Sequence, residues 1–189
     1  AAEQRMRALI AADRLSRARE LGTAAVATFG ASAAIESMQA EIEVVSGSRK
    51  REAGADGVRA RVREAPDFDA TIAAVDAAAA AYARAAGQLA DDAAKARVAD
   101  SPTVAREAAG LRKKRQDLLV ERERLLREQA YLHRDRIGEE FARVPDKDKV
   151  GTMSLEELLA HQQSVKANVE AAYEEMVRFA ARYPQSADA

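Results

Sequence analysis

The side chains best suited to chemistry are two histidines and several carboxylates, and their spacing favours no reaction. Glu157 and His161 lie one helical turn apart, so both could contact one metal ion. A di-iron helical bundle needs two Glu-x-x-His motifs and two further glutamates, and that motif does not occur in the sequence. There is also no nucleophile and base pattern and no Gly-rich phosphate loop. We therefore expect a chain that is not an enzyme.

Oxygen-bearing side chains recur between two predicted helices, over 146–157, and this segment resembles an EF-hand calcium loop. The resemblance implies a calcium-responsive module in which the ion changes the angle between the last two helices. Val150 departs from the family pattern because it supplies no side-chain oxygen at the fifth position. The alternative is a polar turn in which Ser154 and Glu157 form a capping box. The metal ligands that the resemblance implies are Asp146, Asp148, Thr152, Ser154 and Glu157.

Basic residues cluster in a stretch without helical patterning, which we predict to be a mobile loop over 47–66. Gly47, Gly54 and Gly57 interrupt helical spacing there. Several flexible cations can neutralise phosphates, so an adaptor to nucleic acid or anionic lipid is a second alternative function. No aromatic residue interleaves for base stacking, and most such loops are simply solvated. The basic residues are Arg49, Lys50, Arg51, Arg59, Arg61 and Arg63.

Leucine recurs every seven residues in the stretch that dominates the chain, and this spacing predicts one helix over 102–144. At 1.5 Å per residue, that helix would be about 60 Å long. Ser101 and Pro102 start it, because serine caps unpaired amides and proline suits the first helical position. So long a helix cannot bury its apolar seam alone and needs partner helices. The recurring leucines are Leu111, Leu118, Leu125 and Leu132.

Three further helices are predicted from three-four spacing of apolar residues, over 3–46, 67–99 and 154–183. In the first of them the register changes near Gly22, where we expect a bend. The predicted fold class is all-α: an elongated, antiparallel helical bundle with coiled-coil packing and about four long helices. We expect the whole chain, 1–189, to form one elongated helical domain.

Composition supports long helices packed side by side. Hydrophobic residues make up 48 % of the chain but aromatics only 4 %, and 32 % charged residues leave a net charge of −1. With charges so evenly mixed, no overall field attracts nucleic acid or membrane. The absence of cysteine excludes disulfides, thiol catalysis and thiolate metal sites. The longest uncharged window, 21–35, is shorter than the roughly 20 residues of a membrane span, so we expect no membrane-spanning helix. We also expect a soluble, intracellular protein without a cofactor.

These patterns predict a non-catalytic structural or adaptor subunit of a larger protein assembly. Two of the predicted helices are roughly 40 residues long and two nearer 30, so antiparallel packing leaves apolar helix ends projecting. Projecting apolar positions need a partner, either a second copy of the chain or another protein. The predicted interaction residues are Met6, Leu9, Ile10 and Leu15 at one end, and Ile137, Phe141, Val144 and Met153 at the other.

Overall fold

The computed structural model describes residues 1–143 and 150–184, and every regular element in these ranges is helical. The predicted all-α class is therefore confirmed. The chain divides into two compact units, unit 1 over Ala1–Val120 and unit 2 over Glu121–Ala189. The helices are α1 (Ala2–Ala11), α2 (Leu15–Phe29), α3 (Ala33–Ala60), α4 (Phe68–Lys95), α5 (Pro102–Ala142) and α6 (Leu155–Arg182), with a 3₁₀ turn over Arg61–Glu64 after α3.

The stretch 3–46, predicted as one helix, contains two breaks. At the first break, Asp13 adopts a left-handed conformation with φ of 62°. Its amide donates to the carbonyl of Ile10, and the amide of Arg14 donates to the carbonyl of Leu9. These two bonds form a Schellman motif, which satisfies the last carbonyls of a helix and ends it. The chain then turns back, so that α1 packs against α2.

The second break follows α2 at Gly30, whose φ of 82° suits a residue without a Cβ. Ser32 then caps α3 by accepting a hydrogen bond from the amide of Ile35. Gly22, where the sequence predicted a bend, lies inside α2 instead. A Cβ at Gly22 would come within 2.8 Å of Met6 Cε, so the missing side chain allows α1 and α2 to approach closely.

The predicted loop over 47–66 needs correction, because α3 continues to Ala60 and the 3₁₀ turn follows directly. Gly54 and Gly57 face open space, since a Cβ at either position would meet no described side chain or neighbouring helix within 4 Å. Each glycine costs a helix roughly 1 kcal/mol relative to alanine. The buried side chains of Val45 and Ala55 offset that cost by packing in the interior of unit 1.

Helix α4 runs antiparallel to α3. Arg51 on α3 pairs with Asp92 on α4 at 2.8 Å, and Asp56, farther along α3, accepts a hydrogen bond from Tyr82, which comes earlier in α4. The sequence allows Asp67 or Asp69 to cap this helix, and the cap is Asp67, whose carboxylate accepts a hydrogen bond from the amide of Ala70. Small alanines on the buried face bring the two helices close. The buried residues of α4 are Ile72, Val75, Ala78, Ala79, Tyr82, Ala85, Leu89 and Ala93.

The first half of α5 runs parallel to α3. The Ser101 hydroxyl donates to Glu41 at 2.6 Å, and the Lys114 ammonium donates to Asp56 at 2.9 Å. These pairs join residues 60 and 58 positions apart, and a nearly constant separation means that both helices advance in the same direction. The helix starts at Pro102, as the sequence predicted. Unit 1 is therefore a helical bundle in which α3 contacts every other helix or is linked to it by polar bonds.

Unit 2 contains an antiparallel pair formed by the second half of α5 and by α6. Arg136 on α5 pairs with Glu175 on α6, and the rings of His133 and Phe179 lie 5.2 Å apart. The capping box predicted at the start of α6 is present. The described part of this pair buries few apolar side chains, because two helices alone offer little interior. Its buried apolar residues are Leu126, Ala172 and Phe179.

Candidate interaction surface

Large exposed apolar side chains are concentrated in unit 2. Among the described residues of unit 1, Phe29 and Val120 are the only ones. A concentration of exposed apolar groups on one small helical pair is typical of a protein interaction site. Those of unit 2 are Tyr131, Leu132, Phe141, Val150, Leu155, Leu159, Tyr173 and Val177.

Four of these side chains lie on one face of α6 and are spaced as one row. Leu155 is 75 % exposed, Leu159 50 %, Tyr173 56 % and Val177 47 %. Positions three or four residues apart occupy the same face of a helix. Between Leu159 and Tyr173 the row continues through Gln162, Lys166 and the half-buried Val169, so its exposed apolar residues form one pair near each end of α6. We call this row the α6 stripe, and it consists of Leu155, Leu159, Gln162, Lys166, Val169, Tyr173 and Val177.

The sequence predicted a different row on α6, and the structure shows why both rows exist. The predicted seam passes through Ala172 and Phe179, which are buried in the contact with α5. The α6 stripe adjoins that seam and shares Leu155, Gln162 and Val169 with it, so α6 carries apolar residues on two neighbouring faces. The full predicted seam is Leu155, Leu158, Gln162, Val165, Val169, Ala172, Met176, Phe179 and Tyr183. Sequence reasoning missed the stripe because the seam accounted for the regular spacing. The signal that could have revealed it was a second three-four row through Leu159 and Tyr173.

Phe141 extends this apolar surface onto α5. Its side chain is 64 % exposed, and it lines a groove together with Leu159, Gln162, Val165 and Val169 of α6. Gln163, Lys166 and Glu170 also line this open groove, so its lining consists of four apolar and four polar side chains. Such a surface suits the side chains of another helix better than it suits a small molecule, which needs an enclosed pocket.

The prediction that the first helix projects apolar residues from the fold needs correction. Met6, Ile10 and Leu15 are buried within unit 1, and Leu9 is half-buried. The physical reason is the turn at Asp13, which folds α1 back onto α2 instead of letting it extend. These four side chains contribute to the interior of unit 1 and do not form an exposed surface.

The second predicted group of interaction residues lies around the end of α5. Phe141 is exposed there, whereas Ile137 and Met153 are half-buried. Val144 lies outside the described residues. The exposure of Phe141 thus agrees with the expectation of an accessible apolar side chain, while its role in binding stays a prediction.

The calcium-loop prediction falls partly outside the described residues, because Asp146 and Asp148 are not among them. Glu157 accepts a hydrogen bond from the Ser154 amide at 2.7 Å, and the Ser154 hydroxyl accepts from the Glu157 amide at 3.2 Å. The Ser154 amide and hydroxyl hold the pKa of the Glu157 carboxyl below its usual range. Thr152 is exposed. Within the described ranges no group of three His, Asp or Glu residues could hold a metal ion, and calcium binding stays a prediction.

The two histidines have separate structural contacts. The His161 ring lies 2.9 Å from the carbonyl oxygen of Arg143, measured from Nε2. His133 packs against Phe179 and lies 3.4 Å from the side-chain amide of Gln129. Both rings therefore help to hold the antiparallel pair of unit 2 together.

The predicted basic cluster is divided between the interior contacts of unit 1 and its surface. Arg49 pairs with Asp13 and Glu107, and the hydrogen bonds that it donates to both carboxylates raise its pKa. Arg51 pairs with Asp92. These two arginines thus join helices to one another. The exposed basic residues of the cluster are Lys50, Arg59, Arg61 and Arg63.

One polar cluster in unit 1 joins α3, α4 and α5. Lys114 lies 2.8 Å from Glu52 and 2.9 Å from Asp56, and Tyr82 donates a hydrogen bond to Asp56. That bond from Tyr82 lowers the pKa of Asp56. Burial lowers the pKa of Lys114, but Glu52 and Asp56 outweigh burial and raise it. These shifts keep Asp56 and Lys114 charged near neutral pH, which suits a cross-link between helices. A general acid or base instead needs a pKa near 7.

Comparison with known proteins does not assign a family. No family model, curated protein or solved structure matches this chain. Within the described residues, no helix combines the length and apolar character needed to cross a lipid bilayer. The exposed surface of unit 2 is therefore the feature on which a functional proposal can be based.

Proposed function

We propose that this chain is a non-catalytic structural or adaptor subunit of a larger protein assembly, and that it docks through the α6 stripe together with Phe141. The observation that carries the proposal is the exposure of four large apolar side chains on one face of α6, in a unit that buries little apolar surface of its own. Covering such a row removes it from water, which favours association by about 25 cal/mol for each Å² of apolar area.

The two units differ in how far their apolar faces are covered, and this difference supports docking through unit 2. In unit 1 the apolar faces of α3, α4 and the first half of α5 are covered, and Arg49 and Lys114 link the helices by ion pairs. Such a bundle can serve as a stable body. Unit 2 presents a helix pair with one apolar face uncovered among its described residues, and this face is suited to complete its packing with helices of a partner.

The two alternative functions have less support. A calcium-responsive module would use Glu157, whose carboxylate accepts a bond from the Ser154 amide in the capping box. An adaptor to an anionic surface would use the basic cluster, but Arg49 and Arg51 are engaged in ion pairs within unit 1. By contrast, the side chains of Leu155, Leu159, Tyr173 and Val177 in the α6 stripe remain exposed.

A comparison of variants in the cells that produce the protein tests this proposal. The tagged chain is purified under gentle conditions, and its co-purifying proteins are quantified by mass spectrometry. We expect the double variant Leu159→Asp with Tyr173→Asp to lose specific partners that the unchanged chain retains. The control is Phe29→Asp, because Phe29 is 82 % exposed but lies in unit 1. An identical set of partners for all three chains would refute the proposal.

A further inference from the structure

We propose that a second copy of this chain covers the exposed face of α6, with its own α6 running antiparallel about a twofold axis at the level of Asn168. The two helices then meet along six exposed positions, four of which belong to the α6 stripe: Leu159, Gln163, Lys166, Glu170, Tyr173 and Val177. The inference rests on the proposed function, since it names the partner of the same surface. Joined in this way, the two α6 helices cover apolar side chains that a single helical pair leaves in water. The order of residues along α6 favours self-pairing.

A twofold axis at this level places each α6 residue opposite a residue of the second copy. The two residues lie the same number of positions from Asn168, one before it and one after it. Leu159 then lies opposite Val177 of the second copy, so that two exposed aliphatic side chains meet. Gln163 lies opposite Tyr173, whose hydroxyl can exchange a hydrogen bond with the amide. Because a twofold contact is made of two identical halves, every pairing occurs twice. The exposed positions on this face of α6 are thus self-complementary when the helix is reversed.

The charges at the centre of this face select the same arrangement. Nearest the axis, Lys166 lies opposite Glu170 of the second copy, which is an attractive pair. Within one chain these two groups lie 3.8 Å apart, with side chains 75 % and 64 % exposed, so both remain accessible to a second copy. A parallel pairing would instead place lysine beside lysine and glutamate beside glutamate, which is repulsive. Charge complementarity therefore favours the antiparallel pair.

The length of α6 sets the expected strength of the contact. Its 28 residues extend about 42 Å at 1.5 Å per residue. A helix contact of that length covers roughly 800–1,000 Å² over both copies, which is below the range of stable specific interfaces and typical of weak, transient ones. We therefore expect a reversible dimer, with a dissociation constant on the order of micromolar rather than nanomolar.

A charge-exchange experiment on the full-length purified chain tests both the pairing and its direction. Sedimentation velocity at low salt gives the dissociation constant of five samples: the unchanged chain, Lys166→Glu, Glu170→Lys, their equimolar mixture, and Leu159→Asp. Each single charge change converts both central pairs to like charges in the homodimer, so dimerisation should weaken about three- to tenfold. The mixture should recover the affinity of the unchanged chain, because both mixed pairs are then opposite in sign. Leu159→Asp should weaken dimerisation at least about tenfold.

The matched control is Lys50→Glu, which makes the same charge change on an exposed position of α3 in unit 1. It should leave the dissociation constant unchanged. A chain that stays monomeric at every concentration overturns the inference. So does a dimer that is insensitive to Leu159→Asp, and so does a mixture of charge variants that fails to recover affinity.

A negative result for self-pairing can be distinguished from a negative result for the proposed function. If the purified chain is monomeric but the stripe variant still loses co-purifying proteins, self-pairing is wrong and docking to another protein stands. If the purified chain dimerises through the stripe but the co-purifying proteins are the same for every variant, self-pairing stands and docking of other proteins through this surface is wrong.

Discussion

Arg49 on α3 donates two hydrogen bonds to the same carboxylate oxygen of Glu107 on α5, at 3.2 Å from Nε and 2.8 Å from Nη2. Arg49 also pairs with Asp13 at the turn that ends α1. One arginine of the sequence's basic cluster therefore links three separate parts of unit 1. Its neighbour Lys50 is exposed, although both residues are basic and belong to the same predicted cluster.

The first prediction concerns this difference between neighbours. Arg49→Gln should lower the free energy of unfolding by about 1 kcal/mol, because it removes charge-assisted bonds that are partly screened by solvent. Lys50→Gln is the matched control and should change stability by less than about 0.5 kcal/mol. Urea unfolding followed by circular dichroism measures both. Equal effects of the two variants would mean that the Arg49 contacts add nothing to stability.

The close approach of α1 and α2 gives a second prediction. Gly22→Leu should destabilise unit 1 by about 1–3 kcal/mol, because a larger side chain would displace the buried Met6. Gly57→Ala should instead stabilise by about 0.5–1 kcal/mol, since it lies in α3 with open space around it and alanine favours helix. Thermal unfolding compares them. A stabilising Gly22→Leu would contradict the tight contact between the two helices.

A third prediction follows from a buried hydroxyl. Ser48 is 0 % exposed, and its Oγ has no hydrogen-bond partner among the described residues. Ser48→Ala should therefore stabilise the protein by about 1 kcal/mol or more, since it removes an unsatisfied polar group and improves helix propensity. Ser37→Ala, on the exposed surface of α3, isolates the propensity gain. If the two variants stabilise equally in denaturant titrations, the buried hydroxyl carries no cost.

The fourth prediction is a pH dependence at the start of α6. The pKa of Glu157 is lower in the folded chain because the Ser154 amide binds its charged form. The ionised carboxylate therefore stabilises the cap above its unfolded pKa, near 4.5, and this contribution is lost as pH falls through the lower folded value. The protection factor of the Ser154 amide, which is its intrinsic exchange rate divided by its observed rate at the same pH, should therefore fall over that acidic window.

The control for this pH dependence is a neighbouring carboxylate in the same first turn. Glu157→Gln should remove most of the pH dependence of protection at Ser154, because it removes the titrating group. Glu156→Gln deletes an equal charge but leaves the capping box intact, so the pH dependence should remain. Loss of the dependence in both variants would assign it to the general charge of the first turn.

Local sequence signals were sufficient to predict much of the helical structure. The starts of α4, α5 and α6 were correctly predicted, because Asp67, Ser101 with Pro102, and Ser154 with Glu157 act on amides within a few residues. The all-α class followed from composition and three-four spacing. These features depend on interactions between near neighbours in the chain, so sequence alone contains the needed information.

Other features depended on contacts between distant residues. The left-handed residue Asp13 ends α1 where α1 can fold back onto α2, and no glycine marks the position. Conversely, α3 continues through Gly54 and Gly57, because buried partners such as Ala55 compensate for the weak helix propensity. Propensity differences of about 1 kcal/mol per residue are too small to resist such packing.

The sequence by itself determined that α6 would be a strongly amphipathic helix with a capped start. Which of its two apolar faces is covered was decided by the tertiary structure, in which α5 packs over Ala172 and Phe179 and leaves Leu159 and Tyr173 exposed. Spacing along one helix shows which residues share a face, but only the position of the neighbouring helix determines which face loses its contact with water.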